Sequence, residues 1–254
     1  MQAKYEQPWY NYRNIPYSGT EPAFPDLSDL QAVKQFESQV SIFHQELISL
    51  LQSRSGRLID HYASEMYDPG GWSTISFKTW GIDVPANLQA CPAIRQFLQA
   101  HPEVLSFSIN QLKPGKSIRP HCGDTNAIWR CHAGLKVPAG LPSCGLRVKT
   151  EKIAWTKYKV FGFCDAYEHE AWNHSEENRL IICFDIIREE FRQQAKPISL
   201  HVRSVLVLQY LRNKIPLLQK TPRWISHCLL TCLRILLYAI YPYQKKKGVI
   251  IRHN

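Results

Sequence analysis

The residues best suited to chemistry lie in three short stretches of the sequence. His121 follows a proline and precedes a turn, and His132 lies in an alternating run. His169 stands between two glutamates, and Arg179 opens an apolar run. Neutral imidazole is the commonest protein ligand for metals and suits iron(II), whereas an arginine at the head of a buried strand is costly unless it meets an anion. Two histidines for a metal and one arginine for a carboxylate are what an iron(II)/2-oxoglutarate site requires.

Alternating apolar and polar residues predict the strands that would position these groups. Val104–Leu112 places apolar side chains on one face and Ser106, Ser108 and Asn110 on the other. Arg130–Val137 places Arg130 and His132 together on one face. Short strands separated by Pro/Gly turns favour an antiparallel sandwich or barrel. Further strands are predicted within Gly70–Ala86 and at Leu146–Val148, Lys159–Cys164 and Arg179–Ile187.

Two helices and an arm are expected before and between these strands. Apolar residues recur near the 3.6-residue period in Asp26–Ser53, which predicts a helix that Asp26 or Ser28 caps and that packs outside the sheet. Cys91–Ala100 opens with Cys-Pro, which suits a short helix. Met1–Pro25 has no period and is interpreted as an extended arm packed on the domain, with a partly disordered leader as the alternative.

The order and spacing of the motifs resemble those of the aspartyl/asparaginyl β-hydroxylase family. The resemblance covers roughly Trp72 to Phe191, is weaker before that stretch, and ends by about Lys196. It implies a double-stranded β-helix, or jelly-roll, fold with flanking helices, and an iron(II)- and 2-oxoglutarate-dependent dioxygenase. The residues that carry it are Pro120-His121-Cys122-Gly123-Asp124-Thr125-Asn126, Arg130-Cys131-His132-Ala133-Gly134-Leu135, His169-Glu170-Ala171-Trp172-Asn173 and Arg179.

By this resemblance, His121 and His169 are the iron(II) ligands. Many iron(II) oxygenases add a carboxylate two residues after the first histidine, but Gly123 stands there. Some members of the family leave that coordination position to water. Asp124 is the nearest acid, and an unusual turn would be needed to bring it to the metal.

The resemblance also implies a pocket for the co-substrate 2-oxoglutarate, which reacts with O2. Arg179 would hold the distal carboxylate as a bidentate pair, and Arg130 and His132 would complete the pocket. The alternatives are a surface strand position for Arg130 and a buried structural ion pair with Asp185 or another acid for Arg179. Candidate pocket-lining aromatics are Trp129, Trp155 and Trp172, although plain core packing is the more common role of such residues.

Three hypotheses about function remain open from the sequence. The first is hydroxylation of peptidyl Asp/Asn or a related amino-acid substrate. The second is hydroxylation of a lipid acyl chain at a membrane, and it is favoured by Ile128, which replaces a second arginine that often suits an acidic substrate. Asn110 likewise replaces a serine that often helps to bind 2-oxoglutarate. The third is a non-catalytic jelly-roll module, which the intact set of His121, His169 and Arg179 argues against.

Charge divides the chain into an expected domain of residues 1–196 and a helical tail of residues 197–254. Residues 1–190 hold 19 Lys/Arg and 21 Asp/Glu, a balance of −2, whereas residues 191–254 hold 12 Lys/Arg and no acid. The eight cysteines form no C-x-x-C pair, and no secretory signal is visible. These features predict a soluble domain in a reducing, cytoplasmic setting.

The tail predicts contact with a membrane surface. Ile198–Leu218 and Ile225–Tyr241 are apolar segments with interspersed Arg and Lys, and His227 and Arg234 interrupt the second segment, so neither supplies a clean bilayer span. Apolar faces with only basic charges suit helices lying in an anionic membrane surface, and packing on the jelly roll is the alternative. Nucleic acid is not expected, since the basic residues lie among long aliphatic residues and form no polar face.

Overall fold

Two antiparallel sheets and six α-helices form the part of the chain that the computed structural model describes, which is residues 7–11, 16–53, 58–61 and 66–248. The helices are α1 (Gln31–Gln52), α2 (Pro85–Ala90), α3 (Pro92–Ala100), α4 (Ala195–Lys214), α5 (Pro216–Gln219) and α6 (Arg223–Lys247). The strands are β1 (Ile59–Asp60), β2 (Trp72–Thr79), β3 (Ile82–Asp83), β4 (Val104–Leu112), β5 (Lys116–His121), β6 (Ile128–Lys136), β7 (Cys144–Val148), β8 (Glu151–Ile153), β9 (Val160–Phe163), β10 (His169–Asn173) and β11 (Arg179–Ile187).

The strand order is that of a jelly roll. The larger sheet runs β1-β2-β4-β11-β6-β9, with β3 paired to β2, and the smaller sheet runs β5-β10-β7-β8. Both sheets pair antiparallel throughout. Apolar side chains from both sheets, among them Leu112, Leu146 and Phe163, form a common cluster between them. The predicted fold class, mainly β with flanking helices, is confirmed.

The larger sheet has one apolar and one polar face because its strands alternate with period two. Phe107 on β4 and Phe184 on β11 point outward and pack against Phe36, Phe43 and Phe97 of α1 and α3. The alternate residues point inward toward the smaller sheet, where they line a cavity. Because the outward side chains of these strands pack against the helices, the alternate side chains are the ones that reach the interior of the jelly roll.

Most predicted elements are found with small changes in their bounds. The strands at Val104–Leu112 and Arg179–Ile187 match the prediction, whereas α1 begins at Gln31, later than the predicted Asp26. The predicted cap is wrong, since the Asp26 carboxylate accepts a hydrogen bond from the Ser28 amide in a turn that precedes the helix. Gly70–Ala86 divides into β2, β3 and the start of α2, which begins at Pro85.

The sequence did not predict β5 and β10, the two strands that end and begin at the candidate metal ligands. The edge strand β5 contains Pro120 and two charged residues, which are unfavourable in strands. The strand β5 forms because it pairs with β10, which is held in the sheet by its pairing with β7 on the other side. Tertiary pairing thus overrides local propensity here.

The N-terminal arm packs on the domain where it is described. The Trp9 amide donates to Asn126 Oδ1 at 2.7 Å, and Asn11 Nδ2 donates to the Cys122 carbonyl at 2.9 Å. These contacts brace the turn that follows His121. Residues 1–6 and 12–15 of the predicted arm lie outside the described residues.

The C-terminal helices continue from the last strand onto the domain. Ile198 and Val202 of α4 pack with Trp80, Leu105 and Ile128 in one buried cluster. Ile128 is therefore a core residue beneath α4 and does not line the cavity. Within the described part of the chain, one helix, α6, is long and apolar enough to span a membrane, by length and composition alone.

Candidate functional site

Two histidines face each other across the smaller sheet. His121 ends β5 and His169 begins β10, and the two residues are directly paired in the antiparallel ladder. Their ring centroids lie 4.2 Å apart. Strand pairing thus brings together two imidazoles that are far apart in sequence.

Hydrogen bonds define the tautomer of both imidazoles. His121 Nδ1 donates to the Arg119 carbonyl at 2.7 Å, and His169 Nδ1 donates to the Tyr167 carbonyl at 2.8 Å. A carbonyl oxygen only accepts, so each Nδ1 carries the proton and each Nε2 presents a lone pair. Burial lowers the pKa of both rings, that of His169 well below its ordinary range, which keeps them neutral. The pair is therefore suited to bind a metal cation through Nε2.

The pair opens onto a cavity of about 210 Å³ between the two sheets. One wall is the inner face of the larger sheet, where strand alternation places polar side chains in rows. The wall residues are Thr74, Ser76 and Lys78 from β2, Ser106, Ser108 and Asn110 from β4, Arg130 and His132 from β6, and Arg179, Cys183 and Asp185 from β11. The predicted polar face of Val104–Leu112 is thus the face that lines this cavity.

Arg130 is held by two buried carboxylates. Its Nε and Nη2 donate to the two oxygens of Asp185 at 2.8 and 3.1 Å, and its Nη1 donates to Asp165 Oδ1 at 2.6 Å. Each of its three nitrogen atoms thus donates once to protein, and the second N–H of Nη1 and of Nη2 is left for a ligand. The role of Arg130 in completing the 2-oxoglutarate pocket therefore stays a prediction. The alternative of a surface position is wrong, since Arg130 lines the cavity.

Asp165 connects this arginine to the histidine pair. Its Oδ1 lies 3.5 Å from His169 Nε2, and its Oδ2 is buried without a hydrogen-bond partner in the described part of the chain. A Cβ on Gly123 would collide with the Asp165 carboxyl group. The Asp165 carboxylate therefore occupies the space into which a side chain at position 123 would project. Asp124 lines the cavity, but no cluster of three His, Cys, Asp or Glu side chains suited to a metal occurs among the described residues.

Arg179 is a buried cation with no acidic partner among the residues that the structure describes. It is 1% exposed, and its Nε and Nη1 make no hydrogen bond there. Burial lowers its pKa to about 10, so it remains charged at neutral pH. The alternative of an ion pair with Asp185 is wrong, because Arg130 binds that carboxylate. An unpaired buried guanidinium is costly, so this position is suited to bind an anion that enters the cavity.

Aromatic residues shape the surroundings of this arginine. The Trp155 ring lies 4.2 Å from the Arg179 guanidinium carbon and stacks 6.0 Å from the His132 ring. His132 Nδ1 is also buried without a partner in the described residues. The cavity is lined by Trp72 and Trp80 and not by Trp129, Trp155 or Trp172, which agrees with the favoured interpretation that these three residues belong to the packing around it.

Two cavity residues were not anticipated in their present roles. Asn110 accepts a hydrogen bond from Trp72 Nε1 at 3.1 Å and donates to Ser108 Oγ at 2.9 Å, so it supports the wall. Lys78 is 5% exposed, and no described residue forms an ion pair with it. The pairing of β2 with β4 shifts register between Ser76 and Lys78, so Lys78 lies at an irregularity of the sheet. Nothing in the sequence signals this irregularity.

The region that holds these motifs is similar to a known protein family. A sequence model described as aspartyl/asparaginyl β-hydroxylase matches residues 37–189, so the similarity extends further toward the N-terminus than the predicted Trp72. A 2OG-Fe(II) oxygenase-family oxidoreductase of Burkholderia pseudomallei has a structure with a TM-score of 0.43 at 11% identity, which covers 62% of this chain and 92% of that one.

Curated relatives come from bacteria and animals. The ornithine lipid ester-linked acyl 2-hydroxylase of Rhizobium tropici is 32% identical over 117 residues, which are 46% of this chain and 42% of that protein. Human aspartyl/asparaginyl beta-hydroxylase is 25% identical over 195 residues, which are 75% of this chain and 24% of that protein. The chain thus spans less than half of the length of either relative. Because the family model covers more than half of the chain, this protein belongs to the aspartyl/asparaginyl β-hydroxylase family.

Proposed function

We propose that the protein is an iron(II)- and 2-oxoglutarate-dependent dioxygenase that hydroxylates an unactivated C–H bond. The observation that carries this proposal is the unpaired, buried Arg179 in the same cavity as the histidine pair. A metal site alone would not need a buried cation in the same cavity. A diacid that chelates the metal at one end and binds the Arg179 guanidinium through its other carboxylate would use both groups. The overall reaction converts substrate, 2-oxoglutarate and O2 into hydroxylated substrate, succinate and CO2.

His121 and His169 would hold iron(II) through their Nε2 atoms. The protonated Nδ1 atoms fix both rings against backbone carbonyls, which removes rotational freedom before the metal binds. Bound iron(II) supplies the activation of O2, and the protein supplies orientation and exclusion of water. The unpartnered Oδ2 of Asp165 is suited to accept a hydrogen bond from a water molecule near the metal.

Arg179 and His132 would hold 2-oxoglutarate. A guanidinium offers two parallel N–H donors to one carboxylate through Nε with Nη2 or through Nη1 with Nη2, and each pair includes one of the two nitrogens that are unpartnered in the described residues. The Trp155 ring lies over the Arg179 guanidinium and limits its motion. His132, neutral because burial lowers its pKa well below the usual range, offers a further hydrogen bond. Arg130 would position the site by holding Asp165 and linking it to the larger sheet.

Gly123→Ala should weaken iron(II) binding by about 10–100-fold, the range found when an outer partner of a metal ligand is lost. The added methyl group would displace the Asp165 carboxylate from its position between Arg130 and His169. Iron(II) titration under nitrogen measures the effect. Gly140→Ala is the matched control, because nothing lies within 4 Å of the place that its added methyl group would take. Equal iron affinity in the two variants would show that the Asp165 position is unimportant.

One candidate substrate is a peptide bearing Asp or Asn, or a related amino acid. The polar row of Ser76, Ser106 and Ser108 ends at Lys78, whose positive charge has no ion-pair partner in the described residues. Lys78 would take the place of the arginine missing at Ile128 by contacting an acidic group of the substrate. The membership of this family supports the same substrate class.

Lys78→Met should raise the KM for an acidic peptide substrate about tenfold or more and leave the KM for 2-oxoglutarate unchanged. A charge-assisted hydrogen bond contributes roughly 1.5–3 kcal/mol, and tenfold corresponds to about 1.4 kcal/mol. Steady-state succinate formation measures both constants. Lys113→Met, at an exposed position, is the control. If both substrates keep their KM values in Lys78→Met, this lysine does not contact the substrate.

The second candidate substrate is the acyl chain of a lipid. It is supported by the similarity to a lipid acyl 2-hydroxylase and by the apolar C-terminal helices, which would keep the enzyme at a membrane on the cytoplasmic side. All eight cysteines are unpaired thiols, as a reducing compartment would require. Mass spectrometry for one added oxygen on peptide or lipid, run beside succinate detection, distinguishes the two candidates. Absence of iron-dependent succinate with either substrate class would contradict the proposed function.

A further inference from the structure

The outward face of α6 is apolar along almost its whole length. We call this face the α6 stripe; its residues recur every three or four positions, so they share one side of the helix. Trp224 is 69% exposed and Ile235 65% exposed, and no charged residue interrupts the face before the final turn. The stripe consists of Trp224, Cys228, Cys232, Ile235, Leu236, Ala239 and Tyr243. An exposed apolar surface of this kind marks a binding site for an apolar partner.

The opposite face of α6 is already docked on the domain. Gln244 accepts a hydrogen bond from Arg203 Nη2 at 2.5 Å, and Lys245 Nζ donates to the Gly81 carbonyl at 3.1 Å. Lys196 Nζ lies 4.4 Å from the centre of the Tyr238 ring. These contacts hold α6 flat against the protein, so its stripe must point away from the domain. A helix docked in this way is placed to lie along a membrane surface.

The charge around the stripe identifies the partner. No acidic residue follows Glu190, whereas Lys220 and Arg223 flank the start of the helix and Lys245–Lys247 its end. A second copy of the chain would bring the same positive charges into contact, which is unfavourable. Anionic lipids offer both the negative surface and the apolar interior that this arrangement needs. We infer that the α6 stripe, with the adjoining α5, docks on the surface of an anionic lipid bilayer.

The neighbouring surface extends this face. Leu217 of α5 is 78% exposed and Ile215 44% exposed. Between α4, α5 and α6 lies an open apolar groove of about 170 Å³. The lining includes Leu208, Leu211, Leu218, Leu229 and Leu233. The docking face is therefore broader than one helix, which strengthens binding to a bilayer.

Docking would also place one wall of the cavity a single helix away from the membrane. Leu206 of α4 and Trp80 line the cavity, and α4 packs directly on α6. This consequence rests on the proposed function, whereas membrane binding itself needs neither iron nor 2-oxoglutarate. Failure of vesicle binding would leave the oxygenase assignment intact, and failure of catalysis would leave the docking face intact.

Sedimentation of the full chain with vesicles tests the inference. The protein should bind phosphatidylcholine vesicles that contain phosphatidylglycerol, bind pure phosphatidylcholine vesicles at least tenfold more weakly, and dissociate as salt is raised. Ile235→Glu should reduce binding to the anionic vesicles about tenfold or more, because a charge replaces an inserted apolar side chain. Ile42→Glu is the matched control, since Ile42 is 49% exposed on a helix far from the stripe in sequence and should bind as the unmodified protein does.

Thiol labelling supplies a second readout. Cys228 and Cys232 are the exposed cysteines and both belong to the stripe, so a water-soluble maleimide should label them rapidly in solution and at least tenfold more slowly with anionic vesicles. Unmodified protein that stays in the supernatant, or Ile235→Glu that binds as well as Ile42→Glu, would overturn the inference. So would a dimer that Ile235→Glu dissociates while neither form binds vesicles.

Discussion

His169→Ala should abolish iron-dependent succinate formation and weaken iron(II) binding at least about 100-fold. In the proposed site one facing pair of imidazoles holds the metal, so removal of one ring would leave a single histidine ligand and no chelate. Loss of an outer partner alone costs about 10–100-fold, and loss of a direct ligand costs more. His121→Ala has the same effect, because the two rings are paired across β5 and β10. Iron(II) titration and succinate formation measure the two quantities.

His174→Ala is the matched control for this result. His174 follows the same strand as His169 but is exposed and lies outside the cavity. It should retain both iron affinity and turnover. Turnover at the normal rate in either His121→Ala or His169→Ala would remove these histidines from the metal site.

Arg179→Lys should raise the KM for 2-oxoglutarate at least about 100-fold. A lysine cannot reproduce the two parallel donors of the guanidinium, and loss of charge-assisted hydrogen bonds at a buried site costs roughly 3 kcal/mol, or about 100-fold. The KM for iron(II) changes little, because Arg179 does not contact the histidine pair. Initial rates of succinate formation over a range of 2-oxoglutarate concentrations measure the change, with Arg192→Lys at an exposed position as the control.

Arg179→Met separates a functional role from a structural one. Replacing an unpaired buried charge with an apolar side chain relieves a desolvation cost, so the Tm of the ligand-free protein stays the same or rises. Binding of 2-oxoglutarate is nevertheless lost. A lower Tm together with normal 2-oxoglutarate binding would mean that Arg179 is a structural residue.

Periodicity predicted β4, whose two faces differ in polarity. Its outward residues meet α1 and α3 and its inward residues line the cavity, so its sequence repeats with period two. An apolar run, and not alternation, indicated the strand β11. The strands β5 and β10 were missed because pairing with each other, and not local propensity, makes them strands. The motif spacing identified His121 and His169 without showing that they oppose each other.

The sequence did not predict which charged residues of the site pair with each other. Arg130, Asp165 and Asp185 come from three separate segments, and the sequence alone does not show which acid meets which arginine. In the structure Arg130 binds both acids, whereas Arg179 forms no ion pair with an acid among the described residues. The space beside Gly123 is likewise filled from a distant loop, by Asp165.

An anaerobic titration that follows the visible charge-transfer absorption of iron(II) chelated by 2-oxoglutarate tests the central claim most directly. We expect a band that needs both additions and saturates at one iron(II) and one 2-oxoglutarate per chain. Protein that binds iron(II) and 2-oxoglutarate independently, with no such band, would contradict a shared site formed by His121, His169 and Arg179.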